Sequence, residues 1–180
     1  MTAPPRKVIV YISMSVDGYL STLDDDISWL SAVEEEGEDY GYAEFTRGVD
    51  TYVVGRKTYD VIREMLHGDF PQARQFDCYV ITRQERPAAD GVTFYSGPIE
   101  DLIQQIRREP AGHIYCDGGG EIVRLLMERD LIDEYVISVI PILLGDGKRL
   151  FLGGTPRIPL RALPSRHFPS GLVQLRYVRE

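Results

Sequence analysis

A chain of 180 residues with 43% apolar and 27% charged side chains suits a packed globular domain and not a disordered chain. Its net charge of −8 argues against a general nucleic-acid binder, which needs a basic face. No apolar run reaches the ~20 residues that span a bilayer, and the start MTAPPRKVIVYIS lacks a signal-peptide pattern, so a cytoplasmic protein with no membrane partner is expected.

In chain order, Lys7 to Ser13 is rich in β-branched and aromatic residues and reads as a buried strand. It runs into Ser15-Val16-Asp17-Gly18, where Asp-Gly marks a turn. The acidic stretch that follows reads as a solvated face, and its Trp29 serves as either a core plug or a pocket wall. Tyr42 to Val49 predicts a short helix, and Thr51 to Val54 a second strand. That strand ends at Gly55-Arg56-Lys57-Thr58, and Tyr59, Ile62 and Leu66 then follow at helical spacing.

Asp77 to Thr82 and Val92 to Tyr95 read as further strands. A helix then starts near Pro98 and puts Ile99, Leu102, Ile103 and Ile106 on one face. A fifth strand, His113 to Cys116, stops at three glycines, and the helix after them is expected to bury Ile122, Leu125 and Leu126. Asp133 to Leu144 is the longest strand candidate, with Pro141 marking an edge, bulge or bend. Leu160 to Phe168 and Leu172 to Val178 have no helix between them and should pair antiparallel. Cys78 and Cys116 fall inside strands as small buried hydrophobes. His67, His113 and His167 lack ligand spacing, so no metal is expected.

Strand–helix units followed by strands alone predict an α/β domain over residues 1–180. Its sheet should be largely parallel, flanked by helices, with an antiparallel C-terminal edge. Ligands of such sheets bind beyond the C-terminal ends of the strands. Four turns should meet there: Ser15 to Gly18, Gly55 to Thr58, Thr82-Arg83, and Asp117 to Gly120. Cations are unfavourable at a helix N-terminus, so Arg56 and Lys57 at one point to an anion. A glycine turn and its helix suit a pyrophosphate, and Arg56, Lys57, Thr58, Thr82 and Arg83 suit a 2′-phosphate. The glycines form neither the G-x-G-x-x-G nor the P-loop pattern. No catalytic triad is evident, which fits hydride transfer from a bound cofactor.

Ser-Val-Asp-Gly, Ser28-Trp29-Leu30, Asp50 with Val-Gly-Arg-Lys-Thr, Asp-Gly-Gly-Gly-Glu and Pro-Ile-Leu-Leu-Gly-Asp-Gly occur in one order from Lys7 to Val178. In this the chain resembles the riboflavin-biosynthesis reductase family, the C-terminal half of the bifunctional deaminase–reductase. The resemblance implies a dihydrofolate reductase-like fold with a mixed sheet of about eight strands. It also implies NADPH-dependent reduction of 5-amino-6-(5-phosphoribosylamino)uracil, and a homodimer.

Carried over, Gly118, Gly119, Gly120 and Glu121 would hold the cofactor pyrophosphate. Gly55, Arg56, Lys57 and Thr58 would hold the adenosine-side phosphates, with Thr82 and Arg83 near the 2′-phosphate. Asp17 and Asp117 would position the small-molecule substrate or assist protonation, with Trp29 and Tyr19 beside it. A cis peptide is expected at Gly118-Gly119. Three departures stand out: Tyr19 replaces the family's lysine, and the Asn-Pro-x-Leu-Thr-x-Arg segment is missing, as is a deaminase domain. Dihydrofolate reduction, and a non-catalytic nucleotide- or drug-binding role, are therefore the alternatives.

Overall fold

The computed structural model describes residues 5–89, 91–109 and 111–180; the first four residues of the N-terminal stretch read above lie outside them. The central sheet has eight strands: β1 (Val8–Ser15), β3 (Val49–Gly55), β4 (Asp77–Ile81), β5 (Val92–Tyr95), β6 (His113–Cys116), β7 (Glu134–Ile140), β9 (Leu160–His167) and β10 (Val173–Arg179). A separate two-stranded sheet joins β2 (Tyr19–Ser21) to β8 (Lys148–Arg149). The helices are α1 (Tyr42–Thr46), α2 (Arg56–Met65), α3 (Ile99–Arg107) and α4 (Gly120–Glu128).

Spatial order in the large sheet is β5-β4-β3-β6-β1-β7-β10-β9. The first six run parallel, and β10 and β9 close the edge antiparallel. This is the mixed α/β sheet expected from the order of elements. Period-two alternation splits the apolar strands between two cores. Val8, Val10, Val53, Ile114 and Cys116 point to the face covered by α3 and α4. Tyr52, Val54, Cys78, Val80 and Tyr115 point to the other, where Tyr59 of α2 packs with Phe70 and Phe76.

Two expectations need correction, and one strand pair was not expected at all. The long strand stops at Ile140 instead of Leu144, because Pro141 has no N–H for the ladder. The chain still runs beside β1, with Val16 N–H donating to the Ile142 carbonyl at 2.9 Å. On α4, Val123 takes the buried place given to Leu125, which is only partly covered. The β2–β8 pair had no strand-like sequence signal, since Tyr-Leu-Ser and Lys-Arg are too short to show a period. Cys78 and Cys116 are free and buried, and burial pushes both thiols up to about 12.

At the N-terminal ends of the strands lies a structural clamp. Buried Arg6 pairs with Asp50 and donates to the Gly112 carbonyl at 2.7 Å and the Ile106 carbonyl at 3.0 Å. Asp50 also accepts from the Gly112 N–H at 2.6 Å. Its partners are those that tie the β3 and β6 starts together, away from the strand ends considered next.

Candidate functional site

Beyond the C-terminal ends of β1, β3, β4 and β6 lies a cleft of about 1640 Å³. Three of the four expected turns line it directly, through Gly55 to Thr58, Thr82-Arg83, and Asp117 with Gly119, Gly120 and Glu121. The first turn contributes Tyr19 and Leu20 instead of Asp17. The β8 wall adds Lys148 and Arg149.

Glycine is required here by close packing. A Cβ on Gly120 would lie 2.4 Å from the Arg149 carbonyl oxygen, and one on Gly55 2.9 Å from the Ile122 side chain. Gly118 sits at φ +87°, and its carbonyl accepts from Gly55 N–H at 2.8 Å. The Gly118-Gly119 peptide is cis, as expected. Thr58 Oγ1 accepts from the Gly119 N–H at 3.1 Å and ties α2 to the glycine turn. Neither α2 nor α4 has a side-chain cap. The Gly119 carbonyl accepts from Ile122 and Val123, so the first-turn N–H groups of Gly120 and Glu121 precede the helical ladder.

Around this turn, Lys57 and Arg83 share one counter-ion, each 3.6 Å from a Glu121 oxygen. Arg56 instead pairs with Asp60 one turn along its own helix. These are exposed pairs, worth little to stability, and a competing anion can displace the carboxylate.

The two aspartates part company. Asp117 accepts from the Tyr115 hydroxyl at 2.9 Å and from the Tyr52 hydroxyl. Tyr52 and Tyr115 face each other across the β3–β6 register and are buried among Phe45, Phe70 and Phe76. Burial lifts the Asp117 carboxyl from its usual 3.8 to about 6, against the pull of both phenol hydrogen bonds. The same burial, with Asp117 beside them, pushes both phenols well above 10.

Asp17, by contrast, accepts from Ser15 Oγ at 2.6 Å, Leu144 N–H at 3.2 Å and Gly145 N–H at 2.8 Å. Those bonds, the Ser15 hydroxyl first, hold its carboxyl down to about 2. It is a loop clamp whose side chain is committed to the protein, and it does not line the cleft. Trp29 is also elsewhere, buried with Val33, Ile140 and Leu172, its indole N–H without a partner among the described residues. Of the two sequence readings for Trp29, the core plug holds.

Tyr52, Tyr115 and Arg149 were not singled out from the sequence. Tyr115 had a signal, since position i−2 on a strand shares the face of Asp117. Tyr52 had none, because cross-strand register is not written locally.

This geometry defines an α/β protein of dihydrofolate reductase-like fold with a cleft at the switch between its turns. The family model for the RibD C-terminal domain matches residues 6–174, and the chain belongs to that family. A relative from Bacillus subtilis, the uncharacterized protein YwjB, is 38% identical over 97% of this chain and 98% of its own length. A solved putative riboflavin biosynthesis protein from Shewanella sp. PV-4 matches at TM-score 0.87 and 28% identity, covering 97% of this chain and 99% of that one. Dihydrofolate reductase from Enterococcus faecalis, solved with NADP(H), shares the fold at TM-score 0.62 and 15% identity, covering 97% and 96%.

Proposed function

We propose that this chain is an NADPH-dependent oxidoreductase. It reduces a small heterocyclic or sugar-carbonyl substrate resembling 5-amino-6-(5-phosphoribosylamino)uracil. The observation that carries the reading is the meeting, in one cleft, of an anion-receptive rim with a protonatable carboxylate. Two uncapped helix N-termini and the pair Lys57 and Arg83 form the rim; Asp117 is the carboxylate.

The residues present fit a dinucleotide phosphate. First-turn N–H groups of α2 and α4 can donate to pyrophosphate oxygens, and Gly119 and Gly120 line the cleft beside them. Lys57 and Arg83, with Thr82 beside them, suit the 2′-phosphate once Glu121 is displaced. A bound nicotinamide supplies the hydride. Asp117, held by two phenols, supplies the proton to the heteroatom as the neighbouring carbon is reduced, and is left as carboxylate. Membership of the RibD C-terminal domain family and the NADP(H) in the Enterococcus faecalis relative support the same reading. It takes residues 1–180 as one domain, acting as a cytoplasmic homodimer; sedimentation velocity checks the dimer.

Fluorescence titration with NADPH and NADH tests the cofactor. Lys57→Ala and Arg83→Ala should each weaken NADPH about tenfold and NADH much less, the loss of one charge-assisted contact. Arg56→Ala should do less, since its charge is spent on Asp60. No saturable NADPH binding by the wild-type chain removes the reading. Loss of NADPH absorbance with the aminouracil substrate against dihydrofolate then separates the two reductases.

A further inference from the structure

The cleft wall made by β2 and β8 carries a cation that the reductase reading leaves unused. Arg149 is paired with Tyr19 in the β2–β8 register, and its guanidinium carbon stands 4.6 Å from the centre of the Tyr19 ring. Its Nη2 donates to the Tyr19 hydroxyl at 2.9 Å, and Nη1 reaches the Asp17 carbonyl at 3.4 Å. Tyr19 is buried, so the guanidinium rests on a fixed plate. The backbone beneath it is equally constrained: a Cβ on Gly147 would fall 2.2 Å from the Ser21 carbonyl oxygen, just as Gly120 abuts Arg149 itself.

Most other cations of the cleft have a carboxylate already. Arg56 has Asp60, Lys57 and Arg83 have Glu121, Arg124 has Glu128, and Lys148 has Asp25. Arg86 lies 5.8 Å from the Phe94 ring centre. Among the described residues no carboxylate stands within ion-pair distance of Arg149. Asp25 on the same wall is taken by Lys148, and the Asp146 carboxylate accepts from the Gly147 N–H at 2.8 Å. An exposed arginine is commonly a mobile surface charge. Here stacking and two hydrogen bonds have already removed its rotamer freedom, and the remaining N–H groups keep a planar fork for an oxyanion.

We infer that Arg149, buttressed by Tyr19, anchors a terminal oxyanion of the substrate, a phosphate monoester or a carboxylate. This rests on the cleft being a reductase site, and it gives that site's substrate an anionic end. The anchor is separate from Lys57 and Arg83, which sit on α2 and after β4.

Ribose 5-phosphate and p-aminobenzoylglutamate carry the two candidate oxyanions. Each is titrated calorimetrically into the full chain, with and without saturating NADPH. One of them should bind, and Arg149→Met should weaken it by about tenfold or more, while Arg86→Met stays within about twofold of wild type. Which probe responds identifies the oxyanion. NADPH affinity of Arg149→Met should match wild type, reporting an intact cleft. If that variant loses NADPH as well, Arg149→Lys carries the test: it keeps the charge but not the fork, and should still weaken the probe at least about threefold. The inference is overturned if neither probe binds wild type, if the Arg149 variants bind as wild type does, or if Arg86→Met is the one that fails. A probe held through Arg149 by a chain that does not bind NADPH would sink the reductase reading and leave the anchor standing.

Discussion

The neighbouring parallel strands β1 and β6 each run into a turn that carries Asp-Gly, and the two turns treat the same side chain in opposite ways. Asp17 collects a serine hydroxyl and two backbone N–H groups, which favour its charge and hold its pKa near 2. Asp117 meets two phenols in an aromatic pocket, and the loss of water outweighs their hydrogen bonds, so its pKa rises to about 6. One turn stabilises a carboxylate and uses it to fix a loop. Its neighbour keeps a carboxyl poised to exchange a proton near neutral pH, which is what acid–base work requires. The difference lies in what surrounds the dipeptide, and a motif match alone would have given both aspartates one role.

The largest separation between the turns should appear in turnover. With the role proposed for Asp117, Asp117→Asn should lower kcat by about a hundredfold or more while NADPH binding is kept. Asp17→Asn should change kcat by no more than about threefold, since its carboxylate serves the loop at Leu144 and Gly145. Steady-state kinetics beside NADPH titration reads both. Equal losses in the two variants would erase the distinction.

Stability against pH should separate them next, with opposite signs. The folded chain holds the Asp117 proton more tightly than the unfolded chain does, so burying its charge costs nothing below the usual 3.8. The cost grows through the interval and is complete above about 6. Asp117→Asn should therefore stabilise the protein at pH 7 to 8, by at most on the order of 3 kcal/mol, and flatten the slope between these values. Asp17 has a depressed pKa, so its contribution is present above 3.8 and is lost as pH falls through about 2. Asp17→Asn cannot accept from all three donors and should lower Tm at pH 7 by on the order of a few °C. Thermal melts from pH 2 to 8 decide both.

The same contrast marks how far the sequence could be read. The succession of strands and helices, most of the helix faces and the meeting of three turns at one sheet edge followed from local periodicity and from glycine positions, which act over a few residues. Gly55, Lys57, Thr58, Thr82, Arg83 and Gly120 were placed at the cleft that way, because each lies at or shortly after the end of a strand. The roles of Asp17, Trp29 and Arg149 were not legible. Asp17 is claimed by Leu144 and Gly145, and Arg149 by Tyr19, over 100 positions away in each case. Trp29 is seated by Ile140 and Leu172. Contacts of that range depend on register and on how a loop folds back, and no local pattern encodes them.

The finest test probes why Asp117 is poised near 6 and no higher. Both phenols donate to the ionised carboxylate, so each lowers a pKa that burial alone would lift further. Tyr115→Phe removes one donor and keeps the ring among Tyr11, Phe45 and Tyr52, so the pocket stays filled. The Asp117 pKa should then rise by about 1, roughly the net value of one hydrogen bond to a charge. Tyr42 packs edge-on to Tyr11 and Tyr115; burial first, and then the Asp117 charge acting through space, raises its phenol pKa. Tyr42→Phe should therefore leave the Asp117 pKa where it is. Infrared titration of the Asp117 carboxyl, referenced to Asp117→Asn, measures the shift apart from turnover. A rise in the Tyr115 variant with none in the Tyr42 variant ties the poise to the hydrogen bond. Equal rises would assign it to the burial of the pocket as a whole, and the two tyrosines that face each other across β3 and β6 would then be walls and not donors.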